Sequence, residues 1–178
     1  MLKPFAAVAA LALAGCAATS THEGTAAGND AVESIAFSTA PCFGACPVFE
    51  IELDRSGDGI YRGERFVAVK GERAFAASAA EWQAFAERLE PFRPETSVSY
   101  GFENCEGPTV TDQATVVITW RDAKGAETTL DWYMGCRQPG LAENGERLYG
   151  AWQELPLDAL VGTMENRFRY EQDQAAGG

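Results

Sequence analysis

The stretch Pro41-Cys42-Phe43-Gly44-Ala45-Cys46-Pro47 constrains this chain more than any other. Two cysteines with three residues between them sit inside a pair of prolines. They lead straight into Val48 to Asp54, where Phe49, Ile51 and Leu53 alternate with Glu50, Glu52 and Asp54. That alternation predicts a strand with one face buried and the other in water. The chain has 178 residues, 46% of them apolar. This is enough for one domain with a core of its own. It carries 14 Lys and Arg against 26 Asp and Glu, a net charge of −12. An acidic surface repels nucleic acid and anionic lipid, which are discounted as ligands, and leaves a basic partner open.

The first residues stand apart from the rest. Lys3 gives a positive start, and Phe5 to Ala14 is an apolar run too short to span a bilayer. Leu13-Ala14-Gly15-Cys16 resembles the lipobox of bacterial lipoproteins. The resemblance implies a signal peptide over residues 1–15, removed to leave an acylated Cys16 as the first mature residue. Three acyl chains on Cys16 would make a near-permanent anchor. Ala17 follows the cysteine where an Asp would direct retention, so the resemblance favours the outer membrane, facing the periplasm. Residues 16–32 lack apolar periodicity and read as a flexible tether. About sixteen residues of such chain reach roughly 20–24 Å. His22, the one histidine, lies in this tether.

A single domain is expected over residues 33–166, followed by a polar tail over 167–178 that is disordered from Glu171 onward. Glu33 to Ser38 reads as a strand. Ile60 to Val69 reads as the return strand of Val48–Asp54, with its inward face ambiguous between Ile60 and Phe66 or Tyr61, Val67 and Val69. Lys70-Gly71-Glu72 reads as a turn, and Arg73 to Ala77 as a further short strand. Ser78-Ala79-Ala80-Glu81 has the form of a capping box opening a helix that Pro91 stops. Trp82, Phe85, Ala86 and Leu89 give that helix one apolar stripe. Arg93 to Gln113 reads as a long loop.

The next segment is a hairpin, and its register can be deduced. Val116, Ile118 and Trp120 must meet Leu130 and Trp132 on one face. A three-residue loop, Ala123-Lys124-Gly125, aligns Trp120 with Thr128, Ile118 with Leu130 and Val116 with Trp132, with Gly125 in the left-handed position. Extended, this register sets Cys136 opposite Asp112. After Gly140 the period turns helical through Leu141, Leu148, Trp152 and Leu155, and Pro156 suits the first turn of another short helix. The fold class is α+β: an antiparallel sheet of hairpins, one middle helix, and one or two C-terminal helices.

With Cys16 set aside, Cys42, Cys46, Cys105 and Cys136 remain. An even number in an exported chain reads as disulfides. Four cysteines allow three connectivities. Closeness in sequence favours Cys42–Cys46, leaving Cys105–Cys136 to bracket the hairpin. No metal site or cofactor is expected. A four-cysteine zinc site lacks a second knuckle pair. Cys-Phe-Gly-Ala-Cys-Pro superficially resembles the C-x3-C-P motif of Sco-type copper chaperones, but no histidine lies in the predicted domain and a strand follows where a helix should open.

Catalytic constellations are missing by the same reading. Ser-His-Asp and Cys-His chemistry lack their histidine. Asp54 to Gly59 begins like a calcium loop, yet its twelfth position is Arg65. Glu103, Glu106 and Asp112 read as a solvated acidic loop rather than a carboxylate pair. The segment Cys42–Pro47, the strand Phe49–Leu53, the turn Asp58-Gly59, Tyr61-Arg62-Gly63 and the hairpin up to Cys136 together resemble a family of bacterial lipoproteins known as a domain of unknown function. That resemblance implies a fold and no activity. The expectation is a non-enzymatic, lipid-anchored envelope module, membrane-tethered and with an unidentified envelope or cell-wall partner. Two alternatives stand beside it: thiol–disulfide or copper handling at Cys42 and Cys46, and inhibition of a basic periplasmic hydrolase.

Overall fold

A computed structural model describes residues 32–176. Cys16, with the expected leader and the tether up to residue 31, lies outside the described residues; Val32, read as the last residue of the tether, is buried and opens the first strand. Seven strands form one sheet: β1 (Val32–Thr39), β2 (Val48–Asp54), β3 (Asp58–Arg65), β4 (Gly71–Ala76), β5 (Val98–Tyr100), β6 (Thr115–Asp122) and β7 (Glu127–Tyr133). Their order is β4-β3-β2-β1-β6-β7-β5. Every neighbouring pair is antiparallel except β5 and β7. The fold class is therefore the expected α+β.

Period-2 alternation decides which face each strand buries. Ile35, Phe37, Phe49, Ile51, Leu53, Tyr61, Val116, Ile118, Trp120, Leu130 and Trp132 all point inward and are buried. The helices cover that face. Helix α1 (Ala79–Leu89) is capped by Ser78 and Glu81 in a reciprocal box, and Trp82, Phe85, Ala86 and Leu89 are its buried residues. Phe85 meets Phe37 edge-on at 6.3 Å, and Trp152 meets Phe49 at 5.7 Å. Past Gly140 come α2 (Gly145–Tyr149), α3 (Asp158–Val161) and α4 (Arg167–Ala176), linked by 3₁₀ turns. Among the described residues no helix is long and apolar enough to cross a membrane.

The hairpin register is the one deduced. Trp120 faces Thr128, Ile118 faces Leu130 and Val116 faces Trp132. Gly125 has φ +83° and donates to the Asp122 carbonyl at 2.9 Å. Four other expectations need correction. The return strand β3 stops at Arg65, because Phe66 takes φ +54° and breaks the extended run. The turn before β4 lies over residues 66–69, so β4 starts at Gly71 rather than Arg73. Cys136 bridges Thr109 instead of Asp112, since Asp112 at φ +68° swings the chain out of the hairpin's register. The segment from Arg93 to Gln113 is not all loop, for it holds β5.

The C-terminal segment also departs from expectation. Residues 167–176, read as a polar tail disordered from Glu171 onward, form α4. Its anchors are polar. Glu171 accepts from the Phe66 amide at 2.5 Å, and Gln174 donates to the Val67 and Ala68 carbonyls at 3.2 Å each. Phe168 packs edge-on against Phe66 at 5.8 Å.

Candidate functional site

The structure joins Cys42 to Cys46 and Cys105 to Cys136. The pairing is the one expected, and the two staples brace different loops. The first closes the loop between β1 and β2. Both cysteines are half-buried, while Phe43 at its tip is 86% exposed. Pro47 closes the loop by accepting from the Thr39 hydroxyl at 2.7 Å, and Thr39 in turn accepts from the Phe49 amide at 3.3 Å. On the outside, Arg167 donates to the Ala45 carbonyl at 3.3 Å.

Arg167 is only 8% exposed and has no carboxylate within salt-bridge distance among the described residues. Burial pulls its pKa below the ordinary guanidinium value, and the neighbouring Tyr149 opposes that. Burial also raises the Tyr149 phenol. Hydropathy could not reveal α4, because its hydrogen bonds to the rest of the fold run through Arg167, Glu171 and Gln174. These recur at i, i+4 and i+7, a polar stripe at helical spacing.

The second staple ties the loop before β6 to the end of the hairpin. Cys136 is fully buried and its carbonyl accepts from the Trp132 indole at 2.9 Å. The buried Gln138 accepts from the Glu106 amide at 3.1 Å. Two backbones press together here, and glycine permits it. A Cβ on Gly107 would lie 2.0 Å from the Arg137 carbonyl oxygen, and one on Gly135 would lie 2.2 Å from that of Val110. The carboxylates of Glu103, Glu106 and Asp112 belong to exposed residues. Asp54 to Gly59 is a turn, with Asp54 accepting from the Ser56 hydroxyl at 2.6 Å and the Asp58 amide at 3.1 Å. Among the described residues no group of three or more His, Cys, Asp or Glu is placed to hold a metal ion.

The outer face of the sheet carries a hollow of about 560 Å³. Its floor holds Ser34 and Ala36 of β1 and Thr119 of β6, and its rim holds Glu52, Asp58 and Arg121. Sequence patterning puts Glu52 and Thr119 on the solvent side of their strands and Asp58 in a turn. It could not show that six strands would line one depression.

Residues 33–151 match a family described as a domain of unknown function, DUF6438. The chain belongs to the DUF6438 family. Both disulfides and the residues lining the sheet hollow fall inside the matched DUF6438 segment, whereas α3 and α4 lie beyond it. No curated protein and no solved structure matches the chain.

Proposed function

We propose that this DUF6438 protein is a lipid-anchored module of the bacterial cell envelope, held by Cys16 and acting by binding rather than catalysis. The carrying observation is the disposition of its sulfurs. Four cysteines are paired in two separate staples, each built into the packing of a different loop. The lipobox-like Leu13 to Cys16 supplies the anchor, and its Ala17 favours the outer membrane, facing the periplasm. The expected partner is an envelope protein or a cell-wall component.

Intact mass spectrometry of the protein from a membrane fraction tests the anchor. The mass should correspond to a chain beginning at acylated Cys16 with four oxidised cysteines. An unmodified leader on a cytosolic chain would end the proposal. Crosslinking in intact cells followed by pull-down tests the binding role, and a reproducible partner is expected.

A second reading has one observation in its favour. The Cys42–Cys46 loop lies at the surface with both cysteines half-buried. Such a pair suits thiol–disulfide exchange. A reduction potential below roughly −300 mV marks a structural disulfide, and a higher one marks an exchanging pair. Copper transfer by the same pair would need a third ligand, and His22, the chain's one histidine, lies outside the described residues.

A further inference from the structure

We infer that the hollow on the outer face of the sheet is a docking groove for an extended cationic polypeptide segment of a partner. The inference rests on the binding role proposed above and assigns it a surface and a partner chemistry. The groove runs across the strands. Its lining passes from Ala74 on β4 through β3, β2, β1 and β6 to Glu127 on β7. Six strands at about 4.8 Å spacing give about 24 Å, the length of roughly seven extended residues.

The cross-strand register explains the shape. Ala74 faces Ile60, Ile60 faces Glu52, Glu52 faces Ala36 and Ala36 faces Thr119. The central strands carry the short side chains of Ala36, Ser34 and Thr119 along this lining. On one side of this row, beyond the lining of the hollow, Arg62 reaches Glu50 at 3.3 Å, Glu52 at 3.1 Å and Glu72 at 3.1 Å. The other side holds Asp54, Asp58 and the pair Arg121–Glu127.

Charge selects the occupant. Four carboxylates, Glu52, Asp54, Asp58 and Glu127, line the groove against one guanidinium, Arg121, which Glu127 already engages. The remaining negative charge faces a shallow floor of short side chains with hydroxyls from Ser34 and Thr119. A lysine- or arginine-bearing strand would lay its backbone over that floor and place its cations beside Glu52, Asp54 and Asp58. A second copy of this chain would bring like charge to like. An anionic polymer is repelled in the same way.

The test uses the full chain in nonionic detergent and fluorescein-labelled heptalysine as probe. Binding by anisotropy should weaken as salt is raised. Ala36→Trp fills the floor without changing charge and should weaken binding at least tenfold. The double variant Glu52→Gln/Asp58→Asn should weaken it about fivefold, the scale of two exposed charge contacts. The double variant Glu143→Gln/Glu146→Gln removes equal charge elsewhere and should leave the affinity unchanged.

Equal loss in both double variants would reduce the effect to bulk charge and overturn the groove. So would wild-type binding by folded Ala36→Trp, or spermine binding as tightly as heptalysine. If Ala36→Trp fails to fold, the comparison of the two double variants alone decides. Self-association of the wild type that Glu52→Gln/Asp58→Asn changes would name a second copy as occupant and overturn the inference. A crosslinked envelope partner retained by folded Ala36→Trp would also overturn it, while leaving the binding role intact.

Discussion

Two tryptophans in the core of this protein have different polar fates. Trp132 is buried and its indole N–H reaches the Cys136 carbonyl. Trp120 is equally buried, yet its Nε1 has no acceptor among the described residues. A buried donor without an acceptor keeps its desolvation cost, and replacing it by carbon removes that cost. Trp120→Phe should therefore destabilise the fold less than Trp132→Phe, by about 1–2 kcal/mol in urea unfolding. Equal losses would show that packing volume alone governs both sites. Asp54 gives a prediction of a different kind. The Ser56 hydroxyl holds its carboxyl below the usual value of 3.8; burial opposes this, and the backbone amides of Asp58, Ser56 and Gly57 reinforce it. A depressed native pKa means that the unfolded chain binds the proton first. The stabilisation is thus present above pH 3.8 and is lost as the pH falls through the lower native value. Asp54→Asn should flatten the fall of the urea midpoint below that pH, and an unchanged slope would refute the assignment.

Helix α4 shows what one element adds to a sheet edge. It docks by hydrogen bonds to the backbone of residues 66–68 rather than by an apolar stripe. Phe66 has a left-handed backbone there, and Glu171 takes its amide hydrogen. Glu171→Ala should raise the hydrogen-exchange rate of the Phe66 amide about fivefold, the scale of one lost hydrogen bond near 1 kcal/mol. Exchange as slow as in the wild type would mean that α4 does not hold this bend. Helix α1 is the opposite case. Its capping box and its stripe of Trp82, Phe85, Ala86 and Leu89 are written locally, so it was legible from residue types alone. Strand β5 was not, because three residues give too short a run for alternation to register, and its parallel partners on β7 are 32 residues away.

Across the whole molecule, the two staples act over very different spans. Cys42–Cys46 has a sequence separation of 4 and Cys105–Cys136 one of 31. Chain-entropy estimates give about 2 kcal/mol for the short loop and about 3.7 kcal/mol for the long one. Replacing Cys105 and Cys136 together by serine should therefore lower the unfolding free energy more than replacing Cys42 and Cys46 together. Urea titrations of the two double variants measure this, and the reverse order would contradict it. The long staple also closes the route from the pre-hairpin loop to the C-terminal helices, so its loss should reach both. By itself the sequence determined the buried face of β2, the α1 stripe and the hairpin register, because each follows from neighbours within a few residues; the even set of four cysteines follows from a count alone. The tertiary structure alone decided that Phe66 would end β3, that Asp112 would turn Cys136 toward Thr109, that a polar helix would lie against residues 66–70, and that short residues from separate strands would line one groove. Those outcomes depend on which distant backbones come together, and no local pattern of side chains encodes that.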